Sequence, residues 1–152
     1  MSDGEILELV TFNLSKEEFG VDIRRVQEIN RMIDITRVPN APYYVEGVVN
    51  LRGKIIPVVD LGKKLNLEAK IPDKATRIIV IELEGMVLGF IVDSVSEVLR
   101  IPAASVEPPP TMTVGAESAF IQGVVKIDDR LLILLDLKKT LGIEGVADVL
   151  AA

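Results

Sequence analysis

The chain has 152 residues and a formal net charge of −6; 49% of its residues are hydrophobic, 26% are charged, and none is cysteine or histidine. This balance is typical of a folded globular protein with one domain or two very small ones. The missing residue types exclude disulfides, thiolate nucleophiles, zinc–thiolate sites and Ser-His-Asp triads, and the acidic balance argues against a nucleic-acid partner.

The N-terminus, MSDGEILEL, lacks the basic lead and the apolar run of a signal peptide. No apolar stretch reaches the length of about 18 residues that a spanning helix needs. We therefore expect a cytoplasmic protein with no direct membrane insertion. Valine, isoleucine and leucine cluster in short runs rather than in helical stripes, which indicates mainly β structure.

The apolar runs predict eight strands in chain order. They span residues 7–14, 19–23, 48–51, 54–59, 76–83, 86–92, 124–127 and 131–135. Turn-like residues separate the last six strands into three hairpins, at Arg52-Gly53, Glu84-Gly85 and Asp128-Asp129-Arg130.

An internal repeat organises the chain. Residues 47–67, GVVNLRGKIIPVVDLGKKLNL, align without a gap with residues 123–143, GVVKIDDRLLILLDLKKTLGI. A shorter echo precedes each segment, because VQEI at 26–29 corresponds to VSEV at 95–98. Each unit takes up roughly half of the chain and fits a small barrel of short strands. Such a barrel buries little surface alone, so we expect the two units to share an apolar interface.

Asp60, Asp93 and Asp136 each follow an apolar strand, and they are the main candidates for carboxylate chemistry. We interpret all three as helix N-caps, with Asn66 or Gly142 ending the helix that follows Asp60 or Asp136. A phosphoacceptor role for Asp60 would require the long helices of an α/β fold, which the sequence lacks. Neither GxxxxGK[ST] nor GxGxxG occurs. We expect no catalysis, no metal site and no cofactor, with a carboxylate-based enzyme as an alternative.

Two apolar stripes are candidates for a binding surface as well as for the core. Ile23, Val26 and Ile29 recur at every third position, a spacing that places them on one face of a short helical turn, and Val95 and Val98 repeat it. The stripes either pack between the two barrels or line a groove for a partner helix, and both can hold at once.

Arg52 lies at a hairpin tip where the repeat has Asp128 instead. This asymmetry at an exposed loop favours a partner contact. The planar guanidinium group would then bind carboxylate or carbonyl groups, which lysine does not reproduce. A solvated turn charge is the alternative interpretation.

At these residues the sequence resembles the CheW family of chemotaxis coupling proteins, from about Leu7 to Leu141. The resemblance runs through FGVDIRRVQEI, through ITRVPNAP and the YYVEGVVNLRGKIIPVVDL that follows it, and through GFIVDSVSEVL. It implies a mainly β fold of two tandem SH3-like five-stranded β-barrel subdomains that share an apolar interface, with a few short helices. It also implies one CheW-like domain at residues 5–145, with halves 5–70 and 71–145 and with strand exchange between the halves left open.

The resemblance further implies a non-enzymatic adaptor that couples chemoreceptors to the histidine kinase CheA. One surface would bind the cytoplasmic tip of a chemoreceptor (a methyl-accepting chemotaxis protein), and another would bind the CheA regulatory domain. The implied receptor-binding residues are Val10, Ile23, Val26, Glu28, Ile29, Arg52, Val95 and Val98. The implied kinase-binding residues are Ile35, Val38 and Pro39.

A generic adaptor of another receptor–kinase pathway is an alternative to this function. A length of 152 residues leaves no room for a fused kinase or receiver module. We therefore expect a free-standing cytoplasmic adaptor that is recruited to membrane-associated receptor arrays.

Overall fold

The computed structural model describes residues 4–68, 71–109 and 120–141. Within these ranges the chain forms ten strands, two short α-helices and two single turns of 3-10 helix. The strands are β1 (Ile6–Leu14), β2 (Glu17–Asp22), β3 (Val26–Arg31), β4 (Val45–Leu51), β5 (Lys54–Asp60), β6 (Arg77–Leu83), β7 (Met86–Val92), β8 (Ser94–Pro102), β9 (Ile121–Ile127) and β10 (Arg130–Leu135). The α-helices are α1 (Leu61–Lys64) and α2 (Leu137–Leu141), and the 3-10 turns are Ile23–Arg25 and Ala103–Ser105. No helix of the described chain is long and apolar enough to cross a membrane.

The strands form two five-stranded sheets, in the orders β8-β1-β2-β10-β9 and β3-β6-β7-β5-β4. This arrangement confirms the predicted mainly β fold. Each sheet takes two central strands from one half of the sequence and three strands from the other. The exchange is reciprocal, and in each sheet one pair is parallel, β2 with β10 and β5 with β7. Each sheet therefore combines strands of both sequence halves, 5–70 and 71–145, which is the strand exchange that the resemblance leaves open. The subdomain boundary at residue 70 stays a prediction.

The eight predicted strands correspond to all strands except β3 and β8. The interpretation of the valine and isoleucine stripes as helical turns is wrong for these two segments. Only Ile23 lies in a helical turn, whereas Val26 and Ile29 lie in β3 and Val95 and Val98 lie in β8. The cause is a bulge in each strand, which gives a strand the apolar spacing of a helix.

Two of the three predicted N-caps are confirmed. Asp60 Oδ1 accepts a hydrogen bond from Lys63 N at 3.1 Å at the start of α1, and Asp136 Oδ1 accepts one from Lys139 N at 3.1 Å at the start of α2. Asp93 caps no helix, because β7 passes into β8 through this one residue. Its Oδ2 instead accepts the backbone N–H of Ser15 at 2.8 Å.

Asn66 has the left-handed φ of 63° that was predicted after α1. Gly142, the corresponding residue after α2, lies outside the described residues.

Three apolar clusters fill the fold. The largest, which we call the shared cluster, contains buried residues of both sheets, including Phe12 of β1 and Phe90 of β7 with ring centroids 5.6 Å apart. A second cluster lies within the sheet of β1 and includes Leu132, and a third lies within the sheet of β6 and includes Ile78 and Val80. The shared cluster is the apolar interface that the sequence predicts.

In each sheet, the segment that follows one edge strand pairs through a single residue with the opposite edge strand, and this pairing closes the sheet. Thr36, after β3, exchanges two backbone hydrogen bonds of 2.9 and 2.8 Å with Val48 of the edge strand β4. Glu107, after β8, does the same with Val124 of the edge strand β9, at 2.8 and 2.9 Å. These bridges cover the edges of β4 and β9.

The glycine that opens each repeated segment makes this closure possible. A Cβ atom on Gly47 would lie 2.1 Å from the carbonyl oxygen of Thr36, and one on Gly123 would lie 2.7 Å from that of Glu107. The repeat therefore preserves a glycine where the closing segment passes closest to the edge strand.

Candidate functional site

The edge strand β3 carries two of the predicted receptor-binding residues on one face. Val26 lies opposite Ile81 and Ile29 lies opposite Ile79, because the register of β3 and β6 shifts between Val26 and Glu28. Without that shift, positions three apart would point to opposite faces of a strand. Ile79 and Ile81 both belong to the shared cluster, so Val26 and Ile29 face its side of the sheet.

The edge strand β8 repeats this arrangement in the other sheet. Val95 lies opposite Phe12 and Val98 lies opposite Val10, with a register shift between Thr11 and Phe12 of β1. Val10 and Phe12 also belong to the shared cluster. Val26 and Ile29 of β3 and Val95 and Val98 of β8 therefore face the same cluster.

Six predicted residues lie on the faces of the two sheets that turn toward the shared cluster or, as Ile23 does, pack against it from a 3-10 turn. We call them the apolar margin: Val10, Ile23, Val26, Ile29, Val95 and Val98. Val10 is buried, and Ile23, Val26 and Val95 are half-buried against the cluster, whereas Ile29 is 41% and Val98 is 52% exposed. The 3-10 turn that contains Ile23 contacts both β1 and β6, which joins the two sheets at this place.

Glu28 and Arg52 form an ion pair on the other face of β3. Glu28 lies opposite Val80 of the third cluster, so its side chain points away from the apolar margin. Its carboxylate accepts a hydrogen bond from the Arg52 guanidinium group and another from Asn30 Nδ2 at 2.7 Å. The pair links β3 to the β4–β5 hairpin, so part of the role of Arg52 is to hold the hairpin against β3.

The second sheet has a counterpart of this pair that the sequence comparison missed. Arg130 lies 3.8 Å from a carboxylate oxygen of Glu97 in β8 and 3.5 Å from one of Glu18 in β2. Asp128, the residue aligned with Arg52, shares its left-handed backbone with φ of 51° against 50°. The arginine of the second hairpin thus lies two positions after the residue that aligns with Arg52. The recurrence of glutamate at positions 28 and 97 is the sequence signal that could have revealed this second ion pair.

The Arg52–Glu28 pair should make the folded protein sensitive to acid. The Arg52 guanidinium group, assisted by Asn30, holds the pKa of the Glu28 carboxyl below its usual value of 4.5. The stabilisation is therefore fully present above pH 4.5 and is lost as the pH falls through the lowered pKa of the folded state. In Arg52→Ala we expect the pKa of Glu28 to rise, measured by NMR titration, and the melting temperatures of the two proteins to converge at low pH. An unchanged pKa of Glu28 would contradict the pairing.

The three predicted kinase-binding residues lie in the segment between β3 and β4. Ile35 is half-buried against the third cluster and Val38 is half-buried against the shared cluster, so both contribute to packing. Pro39 is exposed. Val38 and Pro39 line an open pocket of about 360 Å³ beside Tyr43, whose side chain is 69% exposed.

Two of the candidate catalytic carboxylates line another pocket, of about 380 Å³, where the β1–β2 turn meets α1. Asp60 and Asp93 both border it, together with Glu46 and Lys63, which form an ion pair of 2.7 Å. Burial raises the pKa of Asp60, and its hydrogen bond from Lys63 N opposes this rise. Both aspartates already accept backbone hydrogen bonds, as expected for structural residues. Asp136 does not line this pocket.

Most of the chain is similar to known proteins. A family model described as the CheW-like domain matches residues 8–144. Chemotaxis protein CheW of Klebsiella aerogenes is 38% identical over 140 residues, which are 92% of this chain and 84% of that protein. Chemotaxis protein CheW of Thermotoga maritima is 36% identical over 132 residues, which are 87% and 85% of the two chains. The crystal structure of scaffolding protein TtCheW from Thermoanaerobacter tengcongensis gives a TM-score of 0.81 at 41% identity and covers 88% of this chain and 86% of its own.

Proposed function

The chain belongs to the family of CheW-like domains, and on this premise we propose that it is a non-enzymatic adaptor that couples chemoreceptors to the histidine kinase CheA. Its relatives are named as chemotaxis proteins and as a scaffolding protein. The proposed adaptor acts in the cytoplasm and is recruited to membrane-associated receptor arrays.

The apolar margin is the observation that carries this proposal. Ile29 and Val98 are large apolar side chains that remain exposed although each lies opposite a buried residue of the shared cluster, Ile79 or Val10. Exposed apolar residues that continue a core are typical of protein–protein interfaces. The helical tip of a chemoreceptor would cover Ile29 and Val98, and Ile23, Val26 and Val95 would support them from below.

The proposed kinase surface is the segment between β3 and β4. Pro39 and the neighbouring Tyr43 present exposed side chains there, while Ile35 and Val38 anchor the segment to the two clusters. Thr36 joins this segment to β4, whereas the exposed residues of the apolar margin, Ile29 and Val98, lie in β3 and β8. A regulatory domain of CheA that docks on Pro39 and Tyr43 would then leave Ile29 and Val98 accessible. The adaptor would then hold both partners at once.

Co-elution tests the function directly. The chain, a receptor tip fragment and the CheA regulatory domain are mixed in pairs and together, and their complexes are measured by gel filtration with light scattering. We expect a binary complex with each partner and a ternary complex with both. A chain that binds neither partner would favour an adaptor of another pathway. An activity lost on single substitution of Asp60, Asp93 or Asp136 at unchanged stability would favour an enzyme.

Ile29→Asp tests the receptor surface. We expect receptor binding to weaken at least about tenfold, or about 1.4 kcal/mol, because the partner must desolvate a carboxylate at the centre of the contact. Ile29 is already 41% exposed, so the melting temperature should change little. Ile55→Asp is the matched control, since Ile55 is 54% exposed on the β4–β5 hairpin. Equal receptor affinity of the two variants, measured by calorimetry, would contradict this surface.

A further inference from the structure

Two arginines accompany the exposed residues of the apolar margin. Arg31 follows Ile29 by two positions in β3, and Arg100 follows Val98 by two positions in β8. Alternation along a strand puts each arginine on the same face as its apolar neighbour. Both arginines are exposed. Each sheet thus offers the same pattern, an exposed apolar residue followed by an arginine.

These arginines stand out against the acidic chain. Among the described residues, no side-chain hydrogen bond or ion pair involves Arg31 or Arg100. Arg24, by contrast, is neutralised by Asp22 at 2.7 Å. Glu8 is the acidic residue opposite Arg100, and Arg31 lies opposite another arginine, Arg77. The margin therefore carries a local surplus of positive charge on a protein whose net charge is −6.

This surplus indicates the chemistry of the partner. A guanidinium group binds carboxylates through paired, charge-assisted hydrogen bonds, and an unpaired arginine keeps all its N–H groups available. An acidic partner would be repelled by most of this chain and attracted only where the local charge is reversed. Each of the two edge strands carries one exposed apolar residue and one arginine. A helix that combines an apolar face with acidic flanks matches this pattern.

We propose that the apolar margin binds an acidic amphipathic helix, whose carboxylates pair with Arg31 and Arg100 while its apolar face lies on Ile29 and Val98. This inference rests on the proposed function, and it specifies that the receptor segment seated on the margin is acidic. Arg31 and Arg100 are then specificity residues that select a partner by charge and orient it between the two sheets.

Charge reversal at each arginine tests the proposal. Arg31→Glu, Arg100→Glu and the double variant are titrated with a receptor tip fragment at low and at physiological salt. We expect each single variant to lose about tenfold in affinity at low salt and the double variant to lose more. The loss should shrink at higher salt, because ions screen pairs at the surface. Lys16→Glu is the matched control: it makes the same change in net charge on the exposed β1–β2 turn and should bind like the unmodified chain.

The outcomes separate the two proposals. Binding by the unmodified chain and equal binding by both arginine variants would overturn the acidic helix and leave the receptor function standing. Failure of the unmodified chain to bind the fragment would overturn the receptor function and this inference with it. Loss of CheA regulatory domain binding instead of receptor binding in Arg31→Glu and Arg100→Glu would assign the margin to the kinase and overturn the proposed occupant. Equal losses in Lys16→Glu would show that net charge alone governs binding, and would also overturn the proposal.

Discussion

Gly47→Ala is expected to lower the free energy of unfolding by about 3 kcal/mol or more, because it removes the closure of one barrel. The added Cβ would lie 2.1 Å from the carbonyl oxygen and 2.7 Å from the carbonyl carbon of Thr36, both of which are backbone atoms that a rotamer change cannot move. Relief requires the segment to shift, which breaks the two hydrogen bonds between Thr36 and Val48. The φ of 149° at Gly47 adds strain for any residue with a side chain. Chemical denaturation measures the loss.

Gly53→Ala separates the steric effect from the backbone effect. Gly53 also has a positive φ, of 86°, but a Cβ there would meet no atom within 4 Å. We expect this control to lose only about 1 to 2 kcal/mol, the cost of a left-handed backbone. Gly123→Ala should behave like Gly47→Ala, since its Cβ would lie 2.6 Å from Val106 Cγ1 and 2.7 Å from the carbonyl oxygen of Glu107. Similar losses at Gly47 and Gly53 would refute the closure argument.

Phe12→Ala is expected to destabilise the protein by about 3 to 5 kcal/mol. The Phe12 ring is fully buried, stacks on Phe19 at a centroid distance of 6.0 Å and tilts against Phe90 at 5.6 Å. Phe12 and Phe19 belong to one sheet and Phe90 to the other, so the cavity would loosen the contact between the sheets. Urea unfolding followed by circular dichroism measures the loss, and Tyr43→Ala, at an exposed aromatic residue, is the control.

The same substitution tests whether the sheets unfold together. Because the hairpins are exchanged and the cluster is shared, we expect Phe12→Ala to unfold in one transition at a lower denaturant concentration. The double variant with Phe90→Ala should lose less than the two single losses combined, as expected for neighbours in one cluster. Two separate transitions in Phe12→Ala would mean that one sheet survives alone, contrary to this prediction.

The sequence predicts much of the local structure because local rules govern it. Runs of valine, isoleucine and leucine indicate eight of the strands, and Asp60 and Asp136 cap helices because a carboxylate satisfies the free N–H groups of the first turn. The repeat also predicts a duplicated fold with a shared core. Asp93 is the exception, since it looks like the other two aspartates but is followed by a strand.

The candidate site depends on pairings that no local pattern contains. Apolar periodicity indicates which face of a segment is buried but not which strand lies beside it, so the exchange of β1–β2 with β6–β7 appears only in the folded chain. The bulges that bring Val26 to the face of Ile29 and Val95 to the face of Val98 exist only relative to the partner strands β6 and β1. The sequence by itself determined eight of the ten described strands, the duplication and most residues of the apolar margin. Tertiary structure alone decided that the exposed residues of the margin, Ile29 and Val98, lie in two edge strands and that Arg52 is paired with Glu28, because both depend on contacts between segments far apart in the chain.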